Sequence, residues 1–378
     1  MRARLDHNAT TPLRPEARAR WLEVADAQRG NASSPHASGR AARSIVDDAR
    51  ERVAAAFGVR EDELYFTSGG TESNNLALRG GLVGDGALVT TAAEHSSVLE
   101  TARRLGRERP LVLLPVDRRG VPDLSATALC DLPRAALVSV MAANNETGTV
   151  PDLETVKAVF HRSGAAPIFH TDAVQALGKI PVDLSAWGVD LASFSAHKVG
   201  GPAGVGLLWR RRGTALAPIL FGGGQEHGVR PGTEDVAGIA AAAVAVELAV
   251  RERASFAQRT SELVSFLWRE LTSLAGEVEL IGPALDDRRL PNTLCIRLPD
   301  TDGKVLVTRL DLDGVEASAG SACASGSIEP SHVLRAMGYD ADAARSGLRL
   351  SLGRDTSLAE CEHAARVLRK LASPSRAS

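Results

Sequence analysis

The feature that most constrains this chain is an alternation. From about Asp47 to Trp268, short apolar runs of strand character alternate with amphipathic stretches of helical period. Parallel strands need a crossover between them, usually a helix, so this rhythm builds a largely parallel sheet with helices on its faces. The strand runs are Glu63 to Thr67, Ala87 to Thr91, Leu111 to Pro115, Ala136 to Val140, Ile168 to Thr171, Leu191 to Ser195 and Val205 to Trp209. In such sheets ligands bind outside the carboxyl ends of the strands. Residues just after each run are therefore the first place to look for chemistry.

The stretch from Thr233 to about Leu274 keeps helical period and reads as two consecutive helices leading into a C-terminal α+β unit that begins near Val278. In that unit Leu294 to Leu298 and Gly347 to Ser351 read as strands, and Leu358 to Leu371 as the last helix. Ser318 to Ser327 is rich in Gly and Ser, the composition of a loop. At 378 residues the chain exceeds what one simple core organises, and a large and a smaller interlocked domain are expected.

Composition narrows the partners. A formal net charge of -2 gives no broad basic footprint for nucleic acid or an anionic membrane, which leaves small molecules and other proteins. The opening MRARLDHNATTP lacks the apolar core of a secretory signal, and the apolar stretch Val236 to Val250 is shorter than a membrane span, so a cytoplasmic protein is expected. Cys130, Cys295, Cys323 and Cys361 form no CxxC pair, which argues against a zinc site or a disulfide framework. Cys130, Cys295 and Cys361 read as small buried hydrophobes. Cys323, flanked by Ser, Ala and Gly in SAGSACASGSIEPSH, reads as an accessible thiol that can swing from substrate to acceptor, with an incidental exposed cysteine as the competing reading.

Other positions carry chemistry by residue type and place. In LASFSAHKVGGPAGVG, Lys198 stands between an apolar run and a Gly-rich turn. Partial desolvation there lowers an amine pKa and suits Schiff-base chemistry, against the alternative of a solvated turn lysine. Asp172 in PIFHTDAVQALGK closes a strand run, where a carboxylate can keep a pyridinium nitrogen protonated or can cap a helix. Ser68-Gly69-Gly70-Thr71 joins a strand run to a helix, and free N–H groups there suit a phosphate, although the pattern is neither Walker A nor GxGxxG. His95, after ALVTT, and His197, beside Lys198, stand at the same edge, where an imidazole can stack on a ring and move protons or merely decorate a turn. Arg349 lies in the alternating strand GLRLS; pointing inward it needs an anion, which a substrate carboxylate gripped by the guanidinium would supply, while pointing outward it is an ordinary exposed arginine on a half-buried strand.

Taken in order, LDHNATTP, GNASSPHASGR, FTSGGTESNN, EHSSVL, VSVMAANNETGT, HTDAVQALGK, SAHKVGGPAGVG, GGGQEHGVRPGTEDV, LPNTL, SAGSACASGSIEPSHVLRAMG and GLRLSLGR resemble the group I, NifS/IscS-like cysteine desulfurases, which have the class V aminotransferase fold of the fold type I pyridoxal-phosphate enzymes. The resemblance implies an α/β fold. A large domain over 15–256 would hold a mostly parallel seven-stranded sheet, and a smaller α+β domain of 1–14 with 257–378 would carry the cysteine loop at about 318–330. It implies pyridoxal 5'-phosphate bonded to Lys198, with Asp172 on the ring nitrogen, His95 stacked on the ring, Gln175 at the ring hydroxyl, and Asn145 near that hydroxyl and the substrate carboxylate. Gly70, Thr71, Ser195 and His197 would hold the phosphate, with Thr233 reaching in from the second subunit of a homodimer. Arg349 would bind the carboxylate of L-cysteine and Lys198 would move its α-proton. Cys323 would take the sulfur as a persulfide, releasing L-alanine, and pass it to an acceptor protein such as an iron–sulfur scaffold. No resident metal is implied; a transient iron–sulfur contact of Cys323 is left open. A selenocysteine lyase, another C–S lyase or an aminotransferase would keep the cofactor and change the reaction. A non-catalytic scaffold would have lost Lys198, Asp172 or Cys323, all of which are present. Ala203, His227 and Pro231 depart from the residues common in the family at those places.

Overall fold

The computed structural model describes residues 1–27, 29–125, 129, 133–162, 166–273, 278–285, 288–299, 301–320 and 329–372. After a short strand β1 (Ala3–Arg4), the expected strand runs appear as β2 (Leu64–Thr67), β3 (Ala87–Thr91), β4 (Leu111–Leu114), β5 (Ala135–Ser139), β6 (Ile168–Asp172), β7 (Leu191–Ser195) and β8 (Gly206–Arg210). They form one seven-stranded sheet in the order β2-β8-β7-β6-β5-β3-β4. The pairings from β4 through β7 are parallel, and β8 runs against both of its neighbours. This is the mostly parallel α/β sheet that the alternation implied.

Successive side chains of a strand point to opposite faces, and both faces of this sheet are covered. Val89, Val138, Phe169, Ala192 and Leu207 share a cluster with buried residues of α1 (Pro15–Ala27) and α2 (Ala37–Phe57). Leu88, Leu137, Leu191 and Leu208 pack with α3 (Gly70–Gly81) and α4 (Ser96–Leu105). The first face is completed by α5 (Leu153–Arg162) and the alanine-rich first half of α6 (Val236–Thr272).

That last helix corrects an expectation: the two helices read between Thr233 and Leu274 are one helix of 37 residues. The polar stretch Arg251-Glu252-Arg253 looks like an interruption in sequence, yet no Gly or Pro follows Gly238 to break the backbone ladder. Each half is held by its own core. Ile239 to Ala249 pack on the large sheet, while Leu263, Val264, Leu267 and Leu271 join Leu294, Ile296, Leu348 and Leu350 in a second cluster.

The second cluster is built on β9 (Glu279–Leu280), β10 (Thr293–Arg297) and β12 (Gly347–Ser351), antiparallel in the order β12-β10-β9, while β11 (Val315–Glu316) pairs in parallel with β1. Ala3 and Leu5 belong to this cluster. The N-terminal segment then crosses between the two sheets: Asn8 N–H donates to Ser351 Oγ at 2.9 Å, and Thr11 N–H donates to the His197 carbonyl at 3.1 Å. It thereby forms a wall of the site described next. Among the described residues no helix is long and apolar enough to cross a membrane.

Candidate active site

The carboxyl ends of β2, β3, β5, β6 and β7 open on one cavity of about 310 Å3. Its lining brings together Gly70, Thr71, His95, Asn145, Asp172, Gln175, Ser195, His197, Lys198 and Arg349, residues scattered over most of the sequence. Thr233 is exposed ahead of α6 and is not part of the lining of its own chain's cavity. Cys323 and Cys130 lie outside the described residues. The described approach to Cys323 runs beside Arg349: the backbone groups of Ser318 and Arg349 exchange hydrogen bonds of 3.1 and 2.7 Å.

Asp172, the last residue of β6, is 6% exposed. Its Oδ1 accepts from the Val174 N–H at 3.0 Å, and its Oδ2 accepts from Asn74 Nδ2 at 2.7 Å. The same Asn74 nitrogen donates to Ser97 Oγ at 2.8 Å. Ser97 in turn holds His95, the N-cap residue of α4, through its N–H at 3.1 Å from Nδ1. A backbone N–H only donates, so Nδ1 accepts, and the proton of the neutral ring sits on Nε2. Asp172 and His95 are thus ends of one polar chain.

Lys198 lies in the short turn Ala196–Lys198 after β7. Its Nζ donates to the carbonyls of Asn8 and Ala9, each at 2.7 Å. In the same turn His197 meets Thr10 Oγ1 at 3.2 Å. Burial, aided by the charge of Lys198, depresses the imidazole to about 4, so His197 is neutral at neutral pH. On the opposite wall α3 begins at Gly70, and Gly69 has no side chain with which to cap it. First-turn N–H groups have no intrahelical partners, and here they border the cavity. A Cβ at position 70 would lie 2.8 Å from Val174 Cγ2, so glycine lets the backbone approach closely.

Arg349 is 1% exposed and points inward, as one reading of its strand required. Its anion is already present in the chain, which the sequence reading did not anticipate: one terminal nitrogen pairs with Asp6 Oδ1 at 2.5 Å, and the other donates to the Asn145 carbonyl at 2.9 Å. Its Nε is buried without a partner. Glu94, next to His95, was also missed. Complete burial raises its carboxyl to about 8 against the opposing hydrogen bond from the Met141 N–H, with Asp172 raising it further.

Asn8, Asn74, Ser97 and Lys179 complete the polar lattice and were not singled out. Asn74 stands one turn into the helix that follows the Gly-rich turn, and Lys179 stands four residues after Gln175. The first spacing, on a helix, was a readable signal. Cys295 and Cys361 are buried, and desolvation raises each thiol to about 12, in keeping with their reading as small hydrophobes. Among the described residues no group of three His, Cys, Asp or Glu side chains is placed to hold a metal ion.

Comparison with known proteins places the chain in a family. Residues 3–363 match the family model described as aminotransferase class-V. A protein of Dictyoglomus turgidum named cysteine desulfurase IscS is 41% identical over 374 residues, covering 97% of this chain and 93% of that one. A solved structure titled NifS-like protein superposes with a TM-score of 0.89 at 36% identity, covering 98% of this chain and 99% of that one. A structure titled SspA in complex with cysteine gives 0.80 at 29% identity, with coverage of 93% and 98%. The chain belongs to the aminotransferase class-V family, among relatives named cysteine desulfurases.

Proposed function

We propose that this protein is a pyridoxal-phosphate-dependent cysteine desulfurase that converts L-cysteine to L-alanine and leaves the sulfur as a persulfide on Cys323. The observation that carries the reading is that a buried carboxylate (Asp172), an amine (Lys198) and the uncapped start of α3 line one cavity. That donor set fits an aromatic aldehyde bearing a phosphate and a ring nitrogen, and about 310 Å3 lies within the size range of ligand cavities. The group, when bound, supplies an electron sink for charge left by the substrate's α-proton.

The chain's own residues do the rest. Lys198 would hold the aldehyde carbon of the group and would receive the substrate's α-proton. Asp172, oriented by Asn74, would hold a proton on the ring nitrogen. The N–H groups of Gly70 and Thr71, with Ser195, neutral His197 and the partner subunit's Thr233 in a homodimer, would hold the phosphate. His95, whose Nδ1 accepts from the Ser97 N–H, would face the ring from the cavity wall. Asn145 and Arg349 orient the substrate carboxylate, with the Asp6 contact of Arg349 loosening as that carboxylate arrives. Cys323 forms a bond from its sulfur to the substrate sulfur while the substrate's carbon–sulfur bond breaks; the carbon takes up protons and leaves as alanine. The persulfide then passes to an acceptor protein, an iron–sulfur scaffold or another sulfur carrier, in the cytoplasm. A structural neighbour's title records a complex with cysteine, which supports the substrate. The same reading divides the chain into 15–256 and 1–14 with 257–378, with the boundary inside α6.

Borohydride reduction of the protein loaded with pyridoxal phosphate, followed by peptide mass mapping, tests the assignment of Lys198. A single pyridoxyl adduct on Lys198, lost in Lys198→Ala, is expected. An adduct confined to another lysine sinks the assignment.

A further inference from the structure

Lys179 is 5% exposed, and its hydrogen-bond acceptors are two amide oxygens: Asn8 Oδ1 at 2.8 Å and Gln175 Oε1. Burial, and then the positive charges of Lys198 and Arg349, hold its amine well below the usual lysine range. A charged lysine only donates, and a neutral one keeps two N–H donors, enough for both oxygens, so each amide as placed turns its oxygen toward Lys179 and its nitrogen away.

The consequences run to both sides of the cavity. Asn8 directs Nδ2 to Thr293 Oγ1 at 2.9 Å and to the Asn145 carbonyl at 3.3 Å, the carbonyl that also accepts from Arg349. Gln175, which lines the cavity, gives one N–H of Nε2 to the Asn8 carbonyl at 3.0 Å. An amide nitrogen carries two N–H groups, so a second remains for an acceptor in the cavity. Without the lysine the Gln175 amide can turn over and set an oxygen against an oxygen. The Asn8 backbone carbonyl opposes that turn from one side and Lys179 from the other, while Asn8 Oδ1 also accepts from Asn292 Nδ2 at 3.2 Å.

We propose that Lys179 is a positioning residue: it fixes the Gln175 amide so that Gln175 presents an N–H, and not a carbonyl oxygen, to the oxygen on the bound cofactor's aromatic ring. The inference rests on the pyridoxal-phosphate reading above. An N–H donated to that oxygen stabilises its anionic form, so the visible band of the bound cofactor titrates at lower pH when the donor is in place.

The test is a pH titration of that band in full-length protein loaded with pyridoxal phosphate, for wild type, Lys179→Met, Lys179→Gln, Gln175→Leu and the double variant Lys179→Met with Gln175→Leu. Lys179→Met should raise the midpoint by about one pKa unit, the size of one hydrogen bond to a charged group. Gln175→Leu should do the same, and the double variant should go no further. Lys179→Gln keeps an N–H donor without charge and should stay near wild type, which also covers the case in which Lys179→Met does not fold. The proposal is overturned if Lys179→Gln shifts as Lys179→Met does, if the shift persists in the Gln175→Leu background, or if none occurs. A wild type that takes up no cofactor removes the cofactor reading itself, an outcome told apart because the unsubstituted protein is then colourless.

Discussion

One amide nitrogen of Asn74 joins two elements of the site, donating to Asp172 Oδ2 at 2.7 Å and to Ser97 Oγ at 2.8 Å. Removing it takes a hydrogen bond from a buried carboxylate and uncouples Asp172 from the Ser97–His95 pair. A hydrogen bond to a charged group is worth about 1.5–3 kcal/mol, so Asn74→Leu should lower kcat for alanine formation about ten- to a hundredfold in cofactor-loaded protein. Asn74→Asp, which sets a second carboxylate against Asp172, should lose more. Steady-state alanine assays normalised to bound cofactor check both.

The loop leading to Thr233 is tied down by a buried ion pair. Arg50 grips the Glu226 carboxylate with both terminal nitrogens, at 3.0 and 2.6 Å, and that carboxylate also accepts from the Phe66 N–H at 2.8 Å. Glu226 and His227 adopt positive φ, so side-chain anchorage must hold a backbone that these residues do not favour. Arg50→Met leaves the carboxylate buried and unpaired and should cost about 3–5 kcal/mol. Adding Glu226→Met should recover part of that loss. Urea unfolding of the three proteins measures it.

Acid stability has a definite sign. Burial depresses His170 to about 3 and His7 and His197 to about 4, from 6.5. Each favours folding fully above 6.5, and that contribution is lost as pH falls through the folded values. Glu94 acts oppositely: raised from 4.5 to about 8, it favours folding below 4.5 and loses that contribution as pH rises to about 8. Between 4.5 and 6.5 three groups act against one. The melting temperature should therefore fall on acidification from 6.5, more gently in His170→Asn, and should decline slightly from 6.5 to 8 except in Glu94→Gln. Thermal unfolding across this range reads both slopes.

Arg349→Lys keeps a charge and discards the planar fork that meets both Asp6 and the Asn145 carbonyl. The KM for L-cysteine should rise about tenfold or more, while the visible band of the bound cofactor stays unchanged. A changed band with an unchanged KM would place Arg349 on the cofactor instead.

Much of the fold was legible because parallel strands buried on both faces leave short, continuous apolar runs, and β3 and β7 fall where Ala87 to Thr91 and Leu191 to Ser195 were read. The continuity of α6 was not: two different cores hold its halves, and local pattern carries no information about which core a helix meets. In the site, residues at strand ends were legible by position. Asp6, Asn8 and Lys179 were not, because their meaning lies in contacts such as Asp6 with Arg349, 343 positions apart in sequence. A short polar side chain in an N-terminal segment gives no sign of crossing between two sheets.

The central claim is that Cys323 receives the sulfur of L-cysteine. The direct measurement is mass spectrometry of alkylated, cofactor-loaded protein after a single turnover, with alanine quantified in the same sample. The account predicts one extra sulfur on Cys323 for each alanine formed, and loss of both in Cys323→Ser. Alanine and sulfide released undiminished by Cys323→Ser would contradict it.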